Sequence, residues 1–152
     1  MGKWNEIDGN LVKMAKLGNF DLISHGCNCQ KNFGKGIALE IKKSFPLSYE
    51  VDKNTPSTLG NISVCIDYPE CIIVNSYTQK FVGKSKSSND SEFHRYEAIR
   101  SCMNKINILY KNQHIGLPLI GSGLAGLKWS KVKKILQEEL IDMDVTIVHY
   151  KK

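Results

Sequence analysis

Two stretches of the chain place a glycine-rich turn between a strand-like run and a helix-like run. The first is Ile23-Ser24-His25-Gly26-Cys27-Asn28-Cys29-Gln30-Lys31-Asn32-Phe33-Gly34-Lys35-Gly36-Ile37-Ala38. The second is Pro118-Leu119-Ile120-Gly121-Ser122-Gly123-Leu124-Ala125-Gly126-Leu127. Both offer what a diphosphate requires. Glycine lets the main chain come close, exposed N–H groups point at anionic oxygens, and the following helix presents its positive end. In open α/β sheets ligands sit beyond the carboxyl ends of the strands, where these turns fall. One such turn is an ordinary tight turn; two, each joining a strand to a helix, favour a phosphate cleft. Neither is a P-loop, because Gly34-Lys35-Gly36 lacks the four-residue spacer and the following Lys-Ser/Thr. The first stretch also lacks a convincingly placed acid for a dinucleotide fingerprint.

His25 is the side chain beside these turns best suited to proton transfer, since imidazole titrates near neutral pH. A lone histidine at a strand end is more often structural, which is the competing reading. Cys27-Asn28-Cys29 next to His25 turns both cysteines to one side of a strand, but no second ligand pair follows at metal-binding spacing. The five cysteines are an odd number, most lie in apolar segments, and they read as reduced, buried small hydrophobes. The chemistry therefore asks for no metal and no cofactor. His94, His114 and His149 have no partner visible in the sequence.

The elements that hold these turns alternate strand and helix. Strands are expected at Lys3 to Ile7, Asp21 to Cys27, Asn61 to Ile66, Cys71 to Tyr77, His114 to Ile120 and Val145 to Tyr150. Helices are expected from Gly34 to Phe45, stopping at Pro46, from Glu92 to Tyr110, and from about Ser130 to Ile141. Asn54 to Gly60 reads as a loop, and Lys84 to Ser91 as a mobile surface loop in which Asp90 is solvated. This alternation predicts a three-layer α/β/α sandwich around a central mixed sheet.

With 152 residues, the whole of 1–152 reads as one domain. A chain this long buries roughly 70% of its unfolded surface and needs no disulfide or structural metal. There is no membrane-spanning run and no apolar leader at the amino terminus, so an intracellular, cytoplasmic setting is expected. The net charge of +6 comes mainly from scattered lysines, which raise the local concentration of anionic ligands. No basic stripe with interleaved aromatics is present, and direct nucleic-acid binding is not expected.

The segment from His25 to Pro46, HGCNCQKNFGKGIALEIKKSFP, resembles macrodomains of the ADP-ribose 1″-phosphate phosphatase type and the related terminal ADP-ribose glycohydrolase branch. LPLIGSGLAGLKWSKVKKIL, from Leu117 to Leu136, resembles the second signature of that family, and IDGNL (7–11) and IVHY (147–150) resemble its first and last core strands. The resemblance implies that Asn10 and Leu11 meet an adenine, with Tyr150 against it. It implies that Asn28 reaches the distal ribose, and that Gly34, Lys35, Gly36, Ile37 and Ala38 wrap that ribose and one phosphate. Gly121, Ser122, Gly123, Leu124, Ala125 and Gly126 would hold the diphosphate, with Asn75 and Gln79 lining the ribose end. It implies hydrolysis of ADP-ribose 1″-phosphate, with His25 assisting proton transfer and Asn28 placing the ribose or a water. The glycohydrolase branch carries an acid where this chain has Ala125 and a lysine where it has Gln79, next to Lys80. The partner is then ADP-ribose or its 1″-phosphate. The alternatives are a non-catalytic ADP-ribose reader or scavenger, and an ADP-ribosyl hydrolase acting on modified protein or nucleic acid.

Overall fold

The computed structural model describes residues 2–85, 88–123 and 125–151. Six strands form one mixed sheet: β1 (Trp4–Gly9), β2 (Leu22–Asn28), β3 (Ile62–Cys65), β4 (Ile72–Gln79), β5 (His114–Leu117) and β6 (Asp144–Tyr150). Their order is β1-β6-β5-β2-β4-β3, and every neighbouring pair is parallel except β3 with β4. Ile72-Ile73-Val74 in β4 and Leu22-Ile23 in β2 are apolar runs, the pattern expected of strands covered on both faces.

Helices α1 (Leu11–Lys16), α2 (Gly36–Ser44) and α3 (Pro46–Lys53) cover one face. There Leu11, Ala15, Ile41 and Phe45 meet Ile23, Ile73 and Val148. Helices α4 (Glu92–Leu109) and α5 (Trp129–Glu139) cover the other, where Ile99, Met103, Val132 and Leu136 meet Leu22, Val74, Ile115 and Ile147. The three-layer sandwich expected from the sequence is thus the fold observed.

Two helices lie where the sequence reading placed none. α1 has six residues, too few for a helical period to show, and is started by Asn10, whose side chain accepts from the Lys13 N–H at 3.1 Å. Pro46 does end α2, but it also occupies the first turn of α3, where its fixed φ and missing N–H cost nothing. β5 ends at Leu117, three residues earlier than expected, because Pro118 cannot donate to a ladder. Asp90 is the clearest departure. It belongs to a short 3-10 turn (Ser88–Asp90), is fully buried, and pairs with buried Arg95 of α4 at 2.6 Å. Lys86 and Ser87 of that loop lie outside the described residues.

Candidate ligand cleft

The carboxyl ends of β2, β4 and β5 open into two adjoining cavities of about 430 and 470 Å³. Gly36, Ile37, Pro118 and Leu119 line both, so they are two halves of one cleft. The 430 Å³ half is walled by the two glycine-rich turns and floored by Gly26, Asn28, Thr78 and Gln79. The 470 Å³ half is more apolar, with Leu11, Val12, Leu39 and Val148, and carries Asn10, Glu40 and Tyr150 at its polar points.

The first turn is held open by its own side chains. Asn28 Oδ1 accepts from the N–H groups of Gln30 (3.0 Å) and Asn32 (3.3 Å), and Asn28 Nδ2 donates to Asn32 O (2.9 Å). Asn28 lines the cleft, and its second amide hydrogen has no partner among the described residues. Lys31 adopts φ +57° and its ammonium donates to the carbonyls of Asp52, in the last turn of α3, and Thr55, just after it. Phe33 is buried edge-on against the His25 ring, 5.0 Å between centroids. Gly36 takes φ +61°, which a side chain would strain, and turns the chain directly into α2. No side chain caps α2 and no acid sits in its first turn, so its first amides remain available to an anion.

The second turn is closed by main-chain bonds. Gly121 (φ +74°) accepts from Leu127 N–H at 2.8 Å, and Ser122 N–H donates back to Leu119 O at 3.1 Å. Gly126 N–H likewise donates to Gly123 O. The resemblance assigned Ser122 and Gly126 to the diphosphate; instead their N–H groups are turned inward and neither residue lines the cleft. Gly121, Gly123 and Ala125 do line it, and among the described residues their N–H groups are unpaired. Leu124 lies outside the described residues.

His25 requires a correction. The strand pleat turns Gly26 and Asn28 to the cleft and His25 and Cys27 away from it. His25 is 0% exposed and lines neither cavity. Its Nε2 donates to Asn75 Oδ1 at 2.8 Å, since Asn75 spends its Nδ2 on Ser48 O and Ser63 Oγ. Burial lowers the His25 pKa to about 4, with the Asn75 bond opposing. A neutral, sealed imidazole cannot hand a proton to a ligand above it. Asn75 is sealed with it, so the expectation that Asn75 lines the ribose end also fails. Cys27 lies 3.5 Å from His25 Nε2, and burial holds its thiol well above the usual range.

Gln79 does line the cleft. Its Nε2 donates to Phe81 O (2.6 Å) and Gly83 O (3.2 Å), leaving Oε1 as an acceptor. Asn10 lines the apolar half and spends its Oδ1 on the α1 cap. Gly34, Lys35, Ile37 and Ala38 all line the distal half, and Leu11 and Tyr150 the apolar half. Sequence reasoning missed Thr78, Asn32, Val82 and Gly83 in the distal half and Glu40 in the other. Thr78 follows Tyr77 and precedes Gln79, so a β4 read one residue further would have reached it. Glu40 sits one helical turn beyond Gly36, a spacing that puts both on one face of α2. The three remaining histidines have partners: His94 with Ser91, His114 with Thr146, His149 with Glu6.

No family model matches the chain. It is 29% identical over 156 residues to an uncharacterised 17.5 kDa protein of enterobacteria phage T4, covering 95% of this chain and 94% of that one. It is 23% identical to an ADP-ribose 1″-phosphate phosphatase of Saccharomyces cerevisiae, covering 93% and 95%. Its fold matches the macrodomain of Mycobacterium tuberculosis DarG with TM-score 0.75 at 24% identity over 97% and 98% of the two chains. It also matches Thermosipho africanus DarTG in complex with ADP-ribose, TM-score 0.72 at 19% identity, over 95% of this chain and 41% of that one. The chain has the macrodomain fold. Its curated relatives include ADP-ribose 1″-phosphate phosphatases.

Proposed function

We propose that the chain binds ADP-ribose along the whole cleft and removes phosphate from ADP-ribose 1″-phosphate. One observation carries the binding reading. An apolar cavity suited to a base adjoins a second cavity walled by main-chain N–H groups that have no partner among the described residues, and the two share Gly36, Ile37, Pro118 and Leu119. The base sits against Leu11, Val148 and Tyr150. The diphosphate crosses the shared strip, where α2 and the second turn present amides. The distal ribose reaches Asn28 and Gln79, and the 1″-phosphate lies toward Lys35 and the unpaired amides of the second turn.

In the hydrolytic step a water oxygen bonds to phosphorus as the P–O bond to C1″ breaks. The water's proton passes through a phosphate oxygen to the leaving C1″ oxygen, so ADP-ribose and inorganic phosphate result. The cleft contributes charge stabilisation and alignment, through Lys35, the free Asn28 amide hydrogen and the loop amides. His25 takes no part. The activity is supported by the curated relatives that carry this name.

A second reading, binding without turnover, is favoured by a specific feature. Among the described residues no imidazole and no carboxylate lines the distal half of the cleft. Calorimetric titration with ADP-ribose, paired with phosphate release from the 1″-phosphate, separates the two. Binding with release supports the phosphatase, and binding without release leaves a reader or scavenger. No binding of either nucleotide sinks both.

A further inference from the structure

Arg95 projects from the first turn of α4 beneath the distal cavity and is 0% exposed. All five of its N–H groups are used. Nε donates to Asp90 Oδ1 (3.0 Å) and Nη2 to Asp90 Oδ2 (2.6 Å) and Phe81 O (3.3 Å). Nη1 donates to Gly83 O and to Ala125 O (3.2 Å). Asp90 in turn accepts from the N–H groups of Lys80 (3.2 Å) and Phe81 (3.3 Å). Gly83 and Ala125 both line the distal cavity, one in the wall after β4 and one in the wall made by the second glycine-rich turn. A single guanidinium therefore ties the two walls together.

We infer that Arg95 is a positioning residue that sets the width and polarity of the distal cavity, and so the affinity for the phosphate-bearing end of the ligand. The inference rests on the ADP-ribose reading for the ligand's identity, while the tie itself is geometric. Its physical basis is twofold. Drawing the Gly83 and Ala125 carbonyls toward Arg95 keeps the negative ends of those peptides away from a bound anion. Binding then needs no reordering of either loop, a cost that flexible walls would impose on every ligand. The fork is specific to arginine, because a lysine has three donors on one point and cannot span Asp90, Gly83 and Ala125 together.

The test uses the full chain with Arg95→Lys and the isosteric Asp90→Asn. Hydrogen–deuterium exchange in the free protein reads the tie without any ligand. The hydrogen-bonded amides of Lys80, Phe81, Ser122, Gly126 and Leu127 are expected to exchange at least about tenfold faster in Arg95→Lys, with β2 and β4 amides unchanged. ADP-ribose affinity is expected to fall about tenfold, while AMP, which fills the apolar half and the shared strip, binds as before. Asp90→Asn should shift the same readouts less and in the same direction, and it carries the test if Arg95→Lys does not fold. Unchanged exchange in a folded variant, or equal loss of ADP-ribose and AMP, overturns the inference. Failure of the unsubstituted protein to bind ADP-ribose removes the functional reading instead, and the exchange arm still decides whether the tie exists.

Discussion

The two sides of strands β2 and β4 are built on opposite plans. Under α3, a run of side chains does most of the polar work: Asn75 Nδ2 reaches Ser63 Oγ, Ser63 meets the Tyr77 hydroxyl at 2.8 Å, and Tyr77 donates to Asp52 Oδ1 at 2.7 Å. Burial raises the pKa of both Tyr77 and Asp52. Every residue of that chain is buried. On the cleft side the same strands offer Gly26, Asn28, Thr78 and Gln79, and the walls are mostly glycine and main chain. The titratable cluster stabilises a particular strand pairing, whereas the side with almost no titratable group is the one a ligand can reach. Filling the main-chain side should therefore hurt function most. A Cβ at Gly123 meets nothing within 4 Å, so Gly123→Val should fold normally and project its methyls into the distal cavity. The expected outcome is an unchanged melting temperature with ADP-ribose affinity lowered by about 100-fold or more by calorimetry. Near-normal affinity would show that the turn does not touch the ligand.

The buried side should respond in the reverse sense, through stability and pH. Burial holds the folded His25 imidazole at a pKa of about 4, below its ordinary value of 6.5. The unfolded chain therefore binds the proton more readily than the native state. The neutral-His contribution is complete above pH 6.5 and is lost as pH falls from there through about 4. Between pH 7.5 and 5 this one group removes about 2 kcal/mol of stability. His25→Gln keeps a donor for Asn75 Oδ1 and has nothing to titrate, so its urea-unfolding stability should flatten over that interval. At pH 7.5 it should change ADP-ribose affinity and phosphate release less than about fivefold, acting only through the Phe33 contact. A loss of turnover by orders of magnitude with binding intact would restore His25 to the chemistry.

That contrast also explains which parts could be read from the residues alone. Strands β2, β4 and β6 and helix α4 announce themselves through apolar runs and a long helical period, and the two turns through glycine between them. The cleft's location followed from those. The orientation of individual groups did not, because a strand reverses the facing of every side chain with a one-residue change in register. His25 was expected to reach the ligand, but the pleat of β2 turns its ring to the face covered by Phe33, where it is fully buried. Ser122 and Gly126 looked like phosphate donors, yet a turn that must close on itself spends alternate N–H groups internally. Asp90 sat in a serine-rich stretch that reads as solvated, and nothing local reveals that Arg95 reaches back five residues to bury it. The partner that seals His25, Asn75, lies fifty residues away, whereas the partners of Ser122 and Gly126 and the Arg95 partner of Asp90 lie within five residues and only their geometry was hidden.

The smallest expected effect tests the apolar half of the cleft. Tyr150 stands at the end of β6, 66% exposed, with its side chain at the edge of the cavity that also holds Leu11 and Val148. An aromatic face left that open can stack on a base without displacing packed neighbours, so its contribution should be modest and confined to that end of the ligand. Tyr150→Ala should weaken ADP-ribose by about fivefold, and Tyr150→Phe should leave it unchanged because the ring rather than the hydroxyl does the work. Ribose 5-phosphate, too short to reach Tyr150 from the distal half, should bind both variants as it binds the unsubstituted protein. If Tyr150→Ala weakens ribose 5-phosphate as much as ADP-ribose, the two halves of the cleft are not independent subsites, and the base must lie elsewhere than against β6.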